Sequence, residues 1–332
     1  MKRIPSLDGL RAISIAAVVV GHIAKARHST ALWGAYGNTG VRIFFVISGF
    51  LITKLMLAEH ERTNDISLRD FYIRRAYRIL PAALVFIAVA VVIDWKQMTW
   101  LHVGAAVFYL ADYDFAVPWI FGHLWSLSVE EQFYLLWPAI LKRWYAKRTA
   151  MLIGVMISAP VLHLVLYYFR VPVGGYGLFP VLTDNLAIGC LIAVLEPRIP
   201  KIPLRAALPM AFAVLLIPLY SAHSVPRTII SVMIFHPLFL ISIGGVLLHV
   251  VRRPYRFLNW GPIVWLGQIS YSLYLWQQPF CPNPKFQAAI AVVLALLAAS
   301  LSYYLVEQPA LRLRERRARQ VKEKTSDAYI AA

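Results

Sequence analysis

The sequence has 332 residues, of which 60% are hydrophobic and 15% charged, with 33 Lys and Arg set against 16 Asp and Glu. Soluble globular chains run at about 45–50% apolar and about 25% charged, and several apolar runs here approach the roughly 20 residues that cross a hydrocarbon core. A soluble globule is excluded. The net charge of +17 would suggest nucleic acid on a soluble chain, but here the basic residues lie between apolar runs, as cytoplasmic loops require. With no Gly-rich phosphate loop, dinucleotide fingerprint or zinc-type spacing, no nucleic acid partner is expected.

The pattern predicts an all-α integral membrane protein, a polytopic bundle of about ten transmembrane helices with both termini cytoplasmic. The expected spans are 9–25, 40–57, 79–94, 124–141, 151–169, 180–195, 204–220, 228–250, 258–280 and 286–306. Residues 1–310 read as one membrane domain and 311–332 as a basic cytoplasmic tail. Lys2 and Arg3 precede the first apolar run as in a signal peptide. Asp8 and Arg11 interrupt it and no small-residue cleavage site follows, so an uncleaved helix is expected.

Ionisable groups within spans are costly and are functional candidates by default. The first span holds Arg11 and His22 in RAISIAAVVVGH. Eleven residues at 100° each return them to within about 20° on one face, roughly 16 Å apart along the axis. Arg11 then lies toward the cytoplasm and His22 in the outer third. Histidine trades protons near neutral pH and suits base catalysis on a hydroxyl. A packed histidine bonded to a carbonyl explains His22 equally well.

The second span, GVRIFFVISGFLIT, carries Arg42 toward its outer end and the small pair Ser48 and Gly49 at mid-depth, which permits close helix packing. Between spans two and three, FYIRRAYRILP places Arg74, Arg75 and Arg78 at i, i+1 and i+4, so Arg74 and Arg78 share a face. Guanidiniums grip phosphates bidentately; the positive-inside rule alone also accounts for this cluster. Residues 98–113 are apolar enough to span. Crossing there would put Lys142, Arg143, Lys147 and Arg148 outside. Residues 95–123 are therefore expected to be an outer, partly re-entrant segment.

The fourth span opens HLWSLSVEEQFYLLWP. Its adjacent Glu130 and Glu131 point about 100° apart and cannot share one task. By depth the pair is level with His22, and Glu130 is the preferred partner for the imidazole, a role that residues alone scarcely separate from Glu131. In the ninth span SYSLYLWQQP sets Ser270, Tyr271, Tyr274, Trp276 and Gln277 on successive turns. An aromatic belt explains Trp276 better than it explains a mid-membrane Ser-Tyr-Ser. The two cysteines, Cys190 and Cys281, read as packing residues. The remaining histidines, His123 and His236 among them, lack metal-ligand spacing, and no metal site is expected.

Together LDGLRAISIAAVVVGH, GVRIFFVISGFLIT, FYIRRAYRILPA, HLWSLSVEEQFYLLWP, SYSLYLWQQP and the closing VEQP resemble, in order across residues 7–309, the membrane acyltransferase-3 family of bacterial surface-sugar O-acyltransferases. The resemblance implies catalytic roles for Arg11 and His22, acyl-CoA donor binding by Arg74, Arg75 and Arg78, and a role for Glu130. Many members have a histidine where this chain has Gln277, and many append an extracytoplasmic domain. The expected protein is a multi-pass enzyme of a bacterial inner membrane. It would pass an acyl group, by family default acetyl, from cytoplasmic acyl-CoA to a hydroxyl of a surface or lipid-linked saccharide. Its partners would be acyl-CoA, a saccharide or glycolipid acceptor, membrane lipid and polysaccharide-biosynthesis proteins, with no tightly bound cofactor. Arg42, Tyr271 and Gln277 are candidates for the acceptor cavity. Two other classes compete. A proton-coupled transporter also carries intramembrane Arg, His and Glu, though no inverted repeat is visible; a scaffold would not depend on His22.

Overall fold

A computed structural model describes residues 4–26, 31–113, 116–171, 178–223, 229–281, 283 and 285–330. Lys2 and Arg3 lie outside them. The described residues form helices without strands. They run α1 Pro5–Ala26, α2 Ala31–Thr63, α3 Leu68–Ile93, α4 Trp100–Val107, α5 Leu124–Arg143, α6 Arg148–Tyr168 and α7 Phe179–Leu195. Then follow α8 Leu204–His223, α9 His236–Arg252, α10 Gly261–Gln268, α11 Ser270–Trp276, α12 Ala288–Ser302 and α13 Gln308–Ile330. Among the described residues, seven helices are long and apolar enough to cross a membrane: Ser6–Lys25, Gly34–Thr63, Leu68–Ile93, Tyr145–Tyr168, Phe179–Arg198, Ser231–Arg252 and Ala288–Ala318. The chain is a multi-pass membrane protein. The expected fourth, seventh and ninth spans are helical as α5, α8 and α10–α11 but do not meet that measure by themselves.

Three expectations are corrected. The arginine-rich stretch is not a connection but the start of α3, which Ser67 caps by accepting from the Asp70 amide at 3.3 Å. The ninth span is two short helices, broken at Ile269. The tenth does not stop at 306: α12 continues through a π turn, Tyr303–Glu307, straight into α13.

Packing rests on close backbone approach between helices. A Cβ on Gly49 would lie 2.1 Å from the Leu186 carbonyl oxygen, and one on Gly189 2.1 Å from that of Val46, so α2 and α7 touch through their glycines. Without a hydrophobic force between helices in lipid, such contact supplies dispersion where side chains cannot. Phe50, Ile188 and Leu240 fill the space between α2, α7 and α9, while Phe45, Phe133, Leu186 and Leu273 fill that between α2, α5, α7 and α11. At the ends, Lys142 of α5 pairs with Asp65 at 2.8 Å. Lys142 donates a hydrogen bond that holds the Asp65 carboxyl below the usual carboxylate range.

The segment 95–123 explains its own apolar character. Eight-residue α4 is about 12 Å long, far short of a roughly 30 Å core. Beyond it the chain turns back at Tyr109 (φ 55°) and enters the bundle against α5. Gln132 Nε2 donates to the Tyr109 carbonyl and to Asp112 Oδ1, both at 2.8 Å, and the Ala111 amide donates to Ser128 Oγ at 3.1 Å. Asp112, itself buried, accepts from the Phe179 amide at 3.1 Å. Ile120, Phe121, His123 and Leu124 are buried as well. Helix α5 therefore begins inside the bundle rather than at its surface.

Candidate functional site

That inward start decides where the acids of α5 fall. A cavity of about 70 Å³ lies between α1, α2, α3, α5 and α11, and Glu130 lines it together with Arg11, Arg75, Arg78, Ser126 and Tyr274. Arg11 Nε and Nη2 donate to Ser270 Oγ at 3.1 and 3.0 Å, and the guanidinium sits 6.0 Å from the Phe44 ring centroid. Asp8, Glu130 and Glu307 draw the Arg11 charge electrostatically, and Arg78 opposes it.

Arg75 is largely buried, its side chain 20% exposed. Its Nη2 lies 2.8 Å from Glu131 Oε1 and 4.0 Å from Glu130 Oε1, and its guanidinium stands 3.7 Å over the Tyr134 ring. The Tyr134 hydroxyl donates to Glu130. Arg74 does not share a surface with Arg78 as the i, i+4 spacing suggested. It is half exposed and reaches Glu59 Oε2 at 3.3 Å, while Arg75 and Arg78 point into the cavity. The expected three-arginine group is thus a pair plus one outlier.

His22 lies beyond this cavity, and its partner is not Glu130. The imidazole Nδ1 is 2.7 Å from Gln277 Oε1. Gln277 Nε2 donates to the Tyr274 carbonyl at 3.3 Å and to Gln278 Oε1 at 3.4 Å, so Oε1 is the accepting end of that amide. His22 Nδ1 therefore carries the proton, and Nε2 presents its lone pair. The sequence misjudged depth: counting inward from a surface start put Glu130 level with His22, whereas a buried start carries it down to Arg11. The residue that reaches the level of His22 from that strand of sequence is His123. The Tyr274 hydroxyl donates to its carbonyl at 2.7 Å, and its ring packs on Phe86 and Tyr274 with centroids 5.3 Å away in each case.

The three acceptor-cavity candidates separate. Gln277 is on His22. Tyr271 lines the arginine cavity, with its hydroxyl donated to the Ile79 carbonyl at 2.9 Å. Arg42 turns toward α7 and α9: Nη1 is 2.8 Å from His236 Nδ1, and His236 Nε2 is 2.8 Å from Asp184 Oδ2. Because a guanidinium only donates, Nδ1 must accept and Nε2 must carry the hydrogen to Asp184. Asn185 Nδ2 donates to the other Asp184 oxygen at 2.7 Å. His236 and Asp184 escaped the sequence reading because they are 52 residues apart and share no local pattern with Arg42.

Glu307, from the closing VEQP, was also given no role. It is buried, accepts from Ser272 Oγ at 3.1 Å and feels the charges of Arg78 and Arg11. Among the described residues no three His, Cys, Asp or Glu side chains gather as a metal site.

A lipid-embedded bundle with a cation-lined cavity and an oriented imidazole beyond it fits an acyl-transfer domain. Residues 4–301 match the type-3 acyltransferase domain, and the chain belongs to that family. It is 30% identical over 357 residues to a putative peptidoglycan O-acetyltransferase, YrhL, of Bacillus subtilis, covering 92% of this chain and 54% of the relative. It is 29% identical over 364 residues to the peptidoglycan O-acetyltransferase OatA of Listeria monocytogenes, with 93% and 56% covered. Against the O-acetyltransferase OatA of Staphylococcus aureus the identity is 28% over 356 residues, with 92% and 57% covered. The chain spans little more than half the length of these curated relatives. No solved structure matches it.

Proposed function

We propose that the chain is a membrane O-acyltransferase that passes an acetyl group from cytoplasmic acyl-CoA to a hydroxyl of a cell-envelope saccharide, peptidoglycan being the acceptor named for its relatives. The observation that carries this reading is the pairing on one helix face of two kinds of group: Arg11, which faces Arg75 and Arg78 across the cavity, and His22, whose Nε2 is held ready as a base.

In this reading the arginine end receives the phosphates of the donor, with Arg78 the principal contact because Arg75 is already matched by Glu131. The acyl thioester reaches past Arg11 toward His22. The acceptor hydroxyl loses its proton to His22 Nε2 as its oxygen attacks the carbonyl carbon. Collapse of the tetrahedral species expels the thiolate, which takes the proton back from His22. Gln277 keeps the tautomer fixed throughout, the orienting task the sequence had given to Glu130; Glu130 instead balances charge in the cavity. A base placed in this way supplies on the order of 10²–10⁴ in rate. Direct transfer is preferred to an acyl-His22 intermediate, and trapping acylated His22 from donor alone would overturn that preference.

The test compares envelope saccharides of a deletion strain complemented with wild type or His22→Ala, by mass spectrometry, with both proteins shown at equal level in the membrane. Loss of one acyl mass in the deletion and His22→Ala strains, restored by wild type, is expected. Fully acylated saccharides without the gene would refute the reading.

A further inference from the structure

The mechanism above leaves the oxyanion without a partner, and two hydroxyls stand where it must form. Ser126 and Tyr274 both line the cavity. Each is one helical turn short of a residue at the His22 end: Ser126 follows His123 by three positions, and Tyr274 precedes Gln277 by three. Their oxygens are 2.5 Å apart. They therefore mark the boundary between the arginine-lined cavity and the imidazole. A carbonyl carbon attacked by a hydroxyl that is giving its proton to His22 lies within one small group of that imidazole, which is to say at this boundary.

The proton inventory distinguishes the two hydroxyls. Tyr274 donates to the His123 carbonyl at 2.7 Å, so its oxygen is the acceptor in the pair and Ser126 is the donor. The Tyr274 proton is thus committed to a buried backbone carbonyl, which would be left unsatisfied if it moved. The Ser126 proton is shared between the Tyr274 hydroxyl at 2.5 Å and, at 3.4 Å, the His123 carbonyl, which Tyr274 already satisfies. Rotation about the Cβ–Oγ bond aims Ser126 at the cavity and leaves that carbonyl satisfied. Other donors in the lining are engaged elsewhere: Arg11 Nε and Nη2 converge on Ser270, Arg75 is paired with Glu131, and Tyr271 donates to the Ile79 carbonyl.

We propose that Ser126 donates the hydrogen bond that stabilises the tetrahedral oxyanion, with Tyr274 positioning it; the assignment rests on the transfer reading given above. Ser126 keeps its proton through the cycle. The hydroxyl proton of the acceptor goes to His22 Nε2 and then to the departing thiolate, so the balance of the reaction is unchanged. The Ser126 bond strengthens only as charge develops on the carbonyl oxygen, which lowers the barrier without tightening donor binding.

The experiment uses the full chain reconstituted in liposomes, with acetyl-CoA as donor and chitopentaose as a soluble acceptor probe. Release of CoA is followed with and without the sugar, since attack by water passes through the same oxyanion. For Ser126→Ala the expected result is a kcat lower by about 100-fold with the KM for acetyl-CoA within twofold of wild type. Ser126→Thr, which keeps the hydroxyl, is expected to recover most of that loss, and Tyr274→Phe to fall between. An unchanged kcat in Ser126→Ala, or an equal loss in the Ala and Thr variants, overturns the oxyanion assignment while leaving the transfer reading in place. Absence of CoA release by the wild type overturns the donor reading and the assignment with it.

Discussion

Arg42 and Asp184 are joined through the two nitrogens of a single imidazole, His236, with 2.8 Å on each side. The chain of three ties α2, α7 and α9 together with one cation and one anion, so it is neutral as a unit while each member depends on the others. Asp184 is 1% exposed, and in lipid no water replaces a missing partner.

Removing the carboxylate alone leaves a buried guanidinium unmatched. Asp184→Ala is expected to cost about 3–5 kcal/mol, the usual penalty for breaking a buried pair, read as a lowered unfolding midpoint in detergent. Replacing all three together, as Arg42→Met, His236→Leu and Asp184→Leu, is expected to recover most of the loss. A stable Asp184→Ala protein would show that the chain does not hold these helices.

The α2–α7 contact gives a second stability prediction. Gly49→Ala or Gly189→Ala inserts a Cβ where 2.1 Å is available against backbone oxygen. Each is expected to destabilise by about 1–3 kcal/mol, the cost of overpacking. Gly154→Ala, where nothing lies within 4 Å, serves as the comparison and is expected to stabilise slightly, by about 0.5–1 kcal/mol.

The geometry that separates Arg74 from Arg78 predicts different effects on the donor. Arg78→Ala is expected to raise the KM for acetyl-CoA about tenfold or more, the loss of a charged hydrogen bond of about 1.5–3 kcal/mol. Arg74→Ala, half exposed and matched only by Glu59, is expected to change it less than threefold. Steady-state CoA release in liposomes measures both; a larger effect at Arg74 would place the donor phosphates outside the cavity.

For the His22 tautomer, Gln277→Ala removes the acceptor that holds Nδ1–H. The expected outcome is a kcat lower by about tenfold, less than the 10²–10⁴ that the base itself supplies, with donor KM unchanged. Gln277→His restores a polar partner and is expected to retain activity between those of wild type and the Ala variant. If Gln277→Ala equals wild type, the tautomer is fixed by something other than Gln277.

The helical character of the bundle was legible because it depends on local signals: apolar length and the i, i+11 return of Arg11 and His22 to one face. That residues 98–113 form no spanning helix of their own was legible only indirectly, through the charges that a crossing would have displaced. What the sequence hid was depth and rotation. Nothing local reports that Phe121 and Leu124 are buried, and that single fact shifts Glu130 from His22 to Arg11. Nor does spacing reveal that Arg75, rather than Arg74, turns inward with Arg78, since Glu59 and Glu131 make that choice from other helices. The Arg42, His236 and Asp184 chain is long-range by construction and carries no pattern at all.

The π turn Tyr303–Glu307 sets where the Glu307 carboxylate is aimed. A π turn closes i to i+5 and so holds one residue more than an α turn; the helix runs on through it, and Arg317 of α13 reaches the Tyr77 hydroxyl at 2.7 Å. Glu307, the last residue of that turn, is buried and accepts from Ser272 Oγ. Deleting Leu305, which faces outward at 69% exposure, is expected to close the ladder to α-helical register. The tail would stay docked while Glu307 leaves Ser272, so that acetyl-CoA turnover falls without a matching change in the thermal midpoint.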